Sequence, residues 1–167
     1  MVGIVGLGGI GRALAVRAAA SGMRRIGVDP DAASRQAAQD LAVETVDLDQ
    51  LLAESDVICI TAPLNANTHH LLDAEAFSGA KQGLRLVNVG RGGIVDTDAL
   101  VDALRSGRVA AAALDVLESE PMPHDHPILS FPQVTVGAHN ASNTMEASLR
   151  THHAALTQLL DAFRSVT

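Results

Sequence analysis

Short β-branched runs alternate with Ala- and Leu-rich amphipathic stretches along the whole chain. Such alternation is expected of repeated βαβ units around a parallel sheet. Some of the runs, such as Val57–Ile60, are apolar at every position, which indicates a sheet with both faces covered by helices. The pattern therefore predicts an α/β fold with a doubly wound, mostly parallel sheet.

The spacing of apolar and polar residues also predicts where the individual elements lie. The predicted strands are Val2–Val5, Arg25–Asp29, Val57–Thr61, Leu84–Val89, Ala110–Asp115 and Val134–Gly137. The predicted helices are Ile10–Ala20, Asp31–Leu41, Leu48–Ala53, Asp98–Ser106 and Thr144–Phe163, with Asp73–Phe77 as a shorter candidate. Because no internal repeat, low-complexity tract or linker interrupts the pattern, residues 1–167 are predicted to form one domain.

Composition supports a globular domain and excludes two classes of partner. Hydrophobic residues make up 47% of the chain and charged residues 19%, unlike the profile of a disordered protein. The net charge is -7 and no Lys/Arg-rich run is present, so neither nucleic acid nor an anionic membrane is expected as a partner. No apolar stretch is long and unbroken enough to cross a bilayer.

Cys59 is the only cysteine, and it lies within the apolar run Val57–Ile60. With no basic neighbour to activate it, the thiol is predicted to be a small buried hydrophobe. A single cysteine allows no intramolecular disulfide, which fits a reducing compartment.

The apolar N-terminal stretch has no preceding basic residue and is interrupted by Arg12 and Arg17, unlike a secretion signal. A cytoplasmic location is therefore predicted.

A glycine-rich turn, G-L-G-G-I-G at residues 6–11, follows the first predicted strand and opens the first helix. This is the G-x-G-x-x-G pattern of Rossmann-type dinucleotide-binding folds, and it lies between a strand and a helix as that pattern requires. Gly6 allows the tight turn, Gly8 allows a pyrophosphate to approach the backbone, and Gly11 allows close packing of helix and strand. The helix N-terminus then offers free N–H groups to the phosphates.

Asp29 ends the second predicted strand. Its distance along the sequence from the glycine turn is the one at which a carboxylate is expected to meet the ribose hydroxyls of the adenosine. The alternative is an N-terminal cap for the next helix, although Asp31 fills that role more naturally. The glycine turn and Asp29 together predict a site for NAD.

Four further segments resemble the signature stretches of the D-isomer-specific 2-hydroxyacid dehydrogenases, the family of 3-phosphoglycerate, D-lactate, glyoxylate/hydroxypyruvate and formate dehydrogenases. They are DVICITAPLNANTHHLL at 56–72, LVNVGRGGIVDTDAL at 86–100, ALDVLESEP at 113–121 and VGAHNASNTMEA at 136–147. The segments occur in the family's order, and the resemblance extends from residue 2 to about residue 150. It implies an NAD-dependent oxidoreductase acting on a small 2-hydroxyacid.

The resemblance implies a catalytic set of Arg91, Glu120 and His139. Arg91 would clamp the carboxylate and keto oxygen of the substrate through its planar fork of donors. His139 would take the hydroxyl proton in oxidation and return it in reduction. Glu120 would fix the imidazole tautomer and stabilise its charged form. Taken singly, each is better interpreted as an ordinary loop residue, but all three follow predicted strands at the edge where open α/β sheets bind ligands.

The resemblance also implies cofactor contacts from Gly9, Ile10, Pro63, Val89 and, towards the nicotinamide carboxamide, Asp115. Gly9 departs from the family pattern, because many relatives have Arg or Lys there. Asn140 departs as well, because an apolar residue or threonine is commoner after the histidine, and this leaves the substrate preference open.

No metal site is predicted from the sequence. The other histidines form two adjacent pairs and one H-x-H, but no cysteine cluster or acidic partner is evident in the sequence, so packing in loops or at the surface is the better interpretation. These residues are His69, His70, His124, His126, His152 and His153.

Family members have a long segment before the glycine turn that forms most of a second, substrate domain. That segment is not part of this sequence, so the chain is expected to be the cofactor half of an active site and to be inactive alone. Homodimerisation through the cofactor domain is expected as well, partly because the apolar stretch Pro121–Phe131 has no obvious internal partner.

A second interpretation is a non-enzymatic NAD-sensing module, similar to corepressors that share this fold and keep the three catalytic residues.

Overall fold

The computed structural model describes residues 1–164, so the last three residues of the predicted domain lie outside the described part. Seven parallel strands form one sheet in the order β3-β2-β1-β4-β5-β6-β7. The strands are β1 Val2–Val5, β2 Arg25–Val28, β3 Glu44–Thr45, β4 Val57–Ile60, β5 Leu84–Asn88, β6 Val109–Leu114 and β7 Val134–Val136. The sheet confirms the predicted doubly wound α/β class, and it is parallel throughout.

An α-helix lies between each pair of successive strands from β1 to β6, and the last helix follows β7. The helices are α1 Gly9–Ala20, α2 Ala32–Gln39, α3 Leu48–Glu54, α4 Ala74–Gly79, α5 Thr97–Arg105 and α6 Met145–Arg164, with short 3-10 turns at Gly92–Ile94 and Pro127–Ser130. An aspartate caps each of α2 to α5 by accepting a hydrogen bond from a backbone N–H of the first turn. These caps explain why the predicted helix starts agree with the structure to within about a residue, the ordinary uncertainty of helix boundaries.

The core lies on both faces of the sheet, because the central strands are apolar in both directions. Ile4, Ile58 and Ile60 are fully buried, and Cys59 is buried as predicted from its apolar run. Burial raises the pKa of the Cys59 thiol to about 11. In a parallel sheet covered in this way the loops lie at the two ends of the strands, so a ligand can reach the sheet only there.

Strand order reverses around β1, because β2 lies on one side of it and β4 on the other. Parallel strands end at a common edge, and ligands of open α/β sheets bind there, next to the point of reversal. The glycine turn follows β1, and the segments with Pro63 and Arg91 follow β4 and β5. The fold thus brings the predicted cofactor residues to one edge.

Three features differ from the expectations. The edge strand β3, Glu44–Thr45, was not predicted, because two residues are too few to show a period. The stretch Pro121–Phe131 does have internal partners: Ile128 is fully buried, and Met122 and Phe131 pack against the core. The predicted lack of a partner was therefore wrong. Half of the large exposed apolar side chains among residues 1–164, six of twelve, lie on α6, which has no buried residue in the described part.

Within residues 1–164, no helix combines the length and the apolarity needed to span a membrane.

Candidate active site

The glycine turn has the geometry that the sequence predicts. Gly6 has a φ of +95°, and a Cβ there would lie 2.8 Å from the backbone of Ala62. A Cβ at Gly11 would overlap the Gly6 carbonyl oxygen, so both positions require glycine. Gly8 and Gly9 have nothing within 4 Å of a Cβ, which leaves the backbone open. The turn offers an unobstructed backbone surface to a phosphate group.

The N-terminus of α1 adds donors to this surface. Gly8 is the N-cap residue and has no side chain, so it leaves the first N–H groups of the helix without a side-chain cap. The guanidinium of Arg12 donates a 2.8 Å hydrogen bond to the carbonyl oxygen of Leu7 and places a cation beside the turn. The sequence analysis gave Arg12 no role, although its position directly after Gly11 signals a place in the first helical turn. Arg12 lies close to the turn even though position 9 is glycine.

The Asp29 carboxylate is fixed against the glycine turn. One oxygen accepts the backbone N–H of Leu7 at 2.7 Å, and the other accepts that of Asp31 at 2.8 Å. Asp31 in turn caps α2 by accepting the Ser34 N–H at 2.8 Å, so the cap is Asp31, as predicted. Asp29 therefore does not cap α2, and its carboxylate is held beside the glycine turn.

A cleft of about 480 Å³ lies between the ends of β1, β4 and β5. Its lining includes Ile10, Pro63, Val89 and Arg91. Three of these are predicted cofactor residues and the fourth is a predicted catalytic residue. Residues that are far apart in the sequence thus share one concave surface next to the glycine turn, where a dinucleotide would lie.

Arg91 is held by a buried asparagine that the sequence analysis missed. The Asn88 side chain is 1% exposed, accepts the Gly90 N–H at 3.0 Å and donates to the Arg91 carbonyl oxygen at 3.1 Å. The Arg91 side chain is exposed, and its only hydrogen bond within residues 1–164 goes to the Gly90 carbonyl oxygen. The signal for Asn88 was a polar residue directly after the apolar pair Leu86 and Val87, at the carboxyl end of its strand. Asn88 fixes the loop while the guanidinium stays free to bind an anion.

Glu120 and His139 form the pair that the resemblance implies. Nδ1 of His139 lies 2.8 Å from Oε2 of Glu120, and Oε1 of Glu120 accepts the Leu117 N–H at 2.8 Å. The hydrogen bond from His139, followed by that from Leu117, lowers the pKa of the Glu120 carboxyl. Nε2 of His139 has no hydrogen-bond partner among the described residues, and the side chain is 49% exposed. The ring is oriented through one nitrogen and open at the other.

Asp115 fixes the turn on which His139 stands. His139 has a φ of +55°, which is unfavourable for a residue other than glycine. The Asp115 carbonyl oxygen accepts the His139 N–H at 2.9 Å, and its carboxylate accepts the Asn140 N–H at 3.1 Å and the Ala141 N–H at 2.9 Å. The carboxylate of Asp115, predicted as a nicotinamide contact, thus also holds the turn that presents His139.

A second cleft of about 260 Å³ adjoins this pair and includes Asp115, Glu120, Met122 and His139 in its lining. No hydrogen bond within residues 1–164 links Arg91 to Glu120 or His139. The structure therefore unites the acid/base pair and places Arg91 on the neighbouring cleft.

The chain is similar in sequence and fold to several known proteins. Residues 1–141 match the family described as D-isomer specific 2-hydroxyacid dehydrogenase, NAD binding domain. The chain is 43% identical over 145 residues to glyoxylate/hydroxypyruvate reductase B of Pectobacterium atrosepticum, an alignment that covers 87% of this chain and 45% of the relative. The chain thus spans less than half the length of this relative.

Two solved structures share the fold. A glyoxylate reductase from Paecilomyes thermophila superposes with a TM-score of 0.84 at 35% identity, covering 96% of this chain and 48% of the other. The D-lactate dehydrogenase of Aquifex aeolicus, solved with NAD and lactic acid, superposes with a TM-score of 0.84 at 31% identity, covering 98% of this chain and 53% of the other.

Proposed function

The chain belongs to the D-isomer specific 2-hydroxyacid dehydrogenases as their NAD-binding domain, and we propose that the protein transfers a hydride between NAD(H) and a small D-2-hydroxyacid or its 2-keto acid. The Glu120–His139 pair is the observation on which this proposal rests. A carboxylate–imidazole pair at the carboxyl edge of a sheet provides a proton donor and acceptor where the substrate would bind.

The open glycine turn and Asp29 fit the cofactor. Gly8 and Gly9 leave room for the pyrophosphate against the N-terminus of α1, and Asp29 would accept hydrogen bonds from the ribose hydroxyls. Ile10, Pro63 and Val89 would line the cofactor cleft. When bound, the nicotinamide supplies or accepts the hydride.

His139 would handle the proton that accompanies the hydride. Because Nδ1 faces Glu120, the neutral ring has its hydrogen on Nδ1 and an available lone pair on Nε2. Nε2 would remove the hydroxyl proton in oxidation, and the protonated ring would return it to the carbonyl oxygen in reduction. Glu120 keeps the tautomer fixed and stabilises the imidazolium.

Arg91 would bind the substrate carboxylate. Its guanidinium is exposed beside the cofactor cleft, and Asn88 and Gly90 fix the loop below it. A planar fork of donors binds a carboxylate in a bidentate manner and can polarise an adjacent keto oxygen. This would orient the reacting carbon without using the acid/base pair.

We propose further that residues 1–167 provide the cofactor half of the active site and that a substrate domain completes it. In support, the chain spans 45% of the reductase from Pectobacterium atrosepticum and 48% of the glyoxylate reductase structure. The experiment is to titrate this chain with NADH and to assay it with glyoxylate, pyruvate and hydroxypyruvate. Binding without turnover is expected, and rapid NADH oxidation by the chain alone would overturn the half-site proposal.

The wider enzyme proposal has its own test. A protein that joins this chain to its substrate domain should oxidise a D-2-hydroxyacid with NAD and leave the L-enantiomer unchanged. If that protein binds NADH but reduces no 2-keto acid, the non-enzymatic NAD-sensing interpretation replaces the dehydrogenase.

A homodimer and a cytoplasmic location remain proposals. The exposed apolar side chains of α6, such as Leu156, Leu160 and Phe163, support association with a second apolar surface. Sedimentation of the chain at high micromolar concentration should give a dimer, and Leu160→Glu should weaken it. A monomer at that concentration would count against the prediction. The buried free thiol of Cys59 is compatible with a reducing compartment.

A further inference from the structure

His69, His70 and Glu118 form a cluster outside the proposed catalytic set. Their metal-ligating atoms, one from each residue, all lie within 4.8 Å of one another. The imidazole rings of His69 and His70 are stacked, with centroids 4.0 Å apart and planes inclined by 24°. No metal was predicted at this histidine pair because no acidic partner was evident in the sequence, and that reason was wrong because Glu118 contacts His70.

The backbone holds the histidine pair in place. The His70 N–H donates to the Gly93 carbonyl oxygen at 2.9 Å, and His70 has a φ of +49°, which a residue other than glycine rarely adopts. The His69 N–H donates to the Asn65 carbonyl oxygen at 2.9 Å. The backbone at both histidines is therefore held by hydrogen bonds within the loop.

Glu118 is oriented by a residue from another segment. Its Oε2 accepts the Thr97 hydroxyl at 2.8 Å and the Thr97 backbone N–H at 3.1 Å, which directs Oε1 towards Nε2 of His70. On the opposite side of the ring, Asp96 Oδ2 lies 3.9 Å from Nδ1 of His70. Metal-binding imidazoles are commonly oriented by a carboxylate at their second nitrogen, and ligating carboxylates by hydrogen bonds of this kind. Thr97 supplies such hydrogen bonds to Glu118, and Asp96 is a carboxylate near the second nitrogen of His70, although beyond hydrogen-bond distance.

We propose that His69, His70 and Glu118 bind a divalent transition-metal ion of the Zn²⁺ class, with water completing the coordination. Two imidazoles and a carboxylate are the donor set of several three-ligand zinc sites. Tetrahedral Zn²⁺ keeps nitrogen and carboxylate oxygen ligands roughly 3.4 Å apart, at bond lengths of about 2.0–2.2 Å. His70 and Glu118 reach that separation by moving apart slightly, since they now share a hydrogen bond. Each side chain of this pair is about one-third exposed, which leaves room for water.

The ion would join two loops of the proposed active site without entering it. The histidines belong to the segment after β4, which also contains Pro63, and Glu118 belongs to the segment after β6. Glu118 precedes Glu120 by two residues, so a bound ion would restrict the loop that holds the Glu120–His139 pair. Metal binding is therefore expected to protect both loops from hydrogen exchange.

The test is calorimetric titration of the untagged, metal-free chain with Zn²⁺ alone. One ion per chain is expected. His70→Gln and Glu118→Gln should each weaken Zn²⁺ binding by roughly tenfold or more, because loss of a residue that only hydrogen-bonds to a metal ligand can already weaken binding by that much. His153→Gln is the matched control, because it alters the other described pair of adjacent histidines, which is exposed on α6. Equal affinity in the wild type and both site variants, or loss of binding in His153→Gln, would overturn the proposal.

A second measurement distinguishes loss of the site from loss of the fold. NADH affinity of each variant should match that of the wild type in the absence of metal, because none of the three residues lines the cofactor cleft. A cooperative thermal transition shows that the variant is folded. If a variant unfolds, Thr97→Val replaces it, since this change removes one hydrogen bond to Glu118 and should weaken Zn²⁺ binding while the ligands stay. Zn²⁺ affinity unaltered by Thr97→Val in a folded chain would contradict the proposed site. Failure of NADH binding with intact Zn²⁺ binding would instead count against the proposed function.

Discussion

Nδ1 of His139 lies 2.8 Å from Oε2 of Glu120, although the two residues are on different loops. The other carboxylate oxygen accepts the Leu117 N–H, so Glu120 does not rotate freely around this contact. The His139 backbone is fixed separately by Asp115. Both partners are thus held by backbone hydrogen bonds, which would limit reorganisation in the proposed proton transfer.

Asp29 predicts a strong preference for NADH over NADPH. Its carboxylate is fixed beside the glycine turn, where it would face the 2'-phosphate of NADPH. Two such charges about 4 Å apart at an effective dielectric constant near 20 repel by roughly 4 kcal/mol, about three powers of ten in the dissociation constant. The chain has no tryptophan, so calorimetry or the fluorescence of NADH itself is the measurement.

Asp29→Asn tests the cause of that preference. The amide oxygen can still accept the Leu7 N–H while the charge is removed, so the discrimination against NADPH should fall sharply. Asp31→Asn is the matched control, because Asp31 caps α2 and should not affect cofactor choice. Equal dissociation constants for the two cofactors in the unaltered chain would show that Asp29 does not stand at the ribose.

Asn88 is predicted to matter for stability out of proportion to its size. Asn88→Ala leaves the Gly90 N–H without its partner in a buried place, which costs about 1–3 kcal/mol of unfolding free energy. Urea unfolding followed by circular dichroism measures the loss. Asn67→Ala, at an exposed loop position, should stay within about 0.5 kcal/mol of the unaltered chain. Equal stability of the two variants would mean that the loop with Arg91 is held by other contacts.

Cys59 is predicted to be unreactive in the folded chain. Burial raises the pKa of its thiol to about 11, so about one molecule in a thousand carries the thiolate at pH 8. A thiol whose pKa is raised by folding stabilises the folded state fully below the unfolded value near 8.5, and this stabilisation is lost as pH rises through the folded value. Modification by a disulfide reagent should be slow in buffer and fast in urea, and labelling within seconds in buffer would contradict the burial.

Six of the seven strands could be predicted because their mostly apolar runs are long enough to show a pattern, whereas the two-residue strand Glu44–Thr45 is not. The Glu120–His139 pair was expected from family resemblance, since nothing local in the sequence links the two positions. Asn88 and Asp115 were missed as supports because they act through backbone hydrogen bonds in loops, which side-chain periodicity does not reveal. His70 and Glu118 meet only because the segments after β4 and β6 share one sheet edge.

Glu120→Gln should slow keto-acid reduction in an enzyme that contains this domain and should remove one acid-sensitive contribution to its stability. Oε2 of Glu120 lies 2.8 Å from Nδ1 of His139 and would orient the ring for proton transfer. The hydrogen bond from His139 lowers the pKa of the Glu120 carboxyl, so this group stabilises the folded state above the unfolded value of about 4.3, and the contribution is lost as pH falls through the folded value. Turnover at neutral pH and urea unfolding from neutral to acid pH are the measurements. Unchanged turnover would mean that Glu120 does not position the ring.

His139→Gln should remove proton transfer and leave the cofactor site intact. Turnover of the enzyme that contains this domain should fall by roughly 10² to 10⁴, the usual contribution of a positioned acid/base group. NADH affinity should stay nearly the same, because the glycine turn and Asp29 lie at the other end of the cofactor site. Arg91→Ala, by contrast, should mainly weaken keto-acid binding. Near-normal turnover of His139→Gln with an unchanged pH profile would show that His139 is not the proton shuttle, and the assignments of Arg91 and Glu120 would then have to be withdrawn as well.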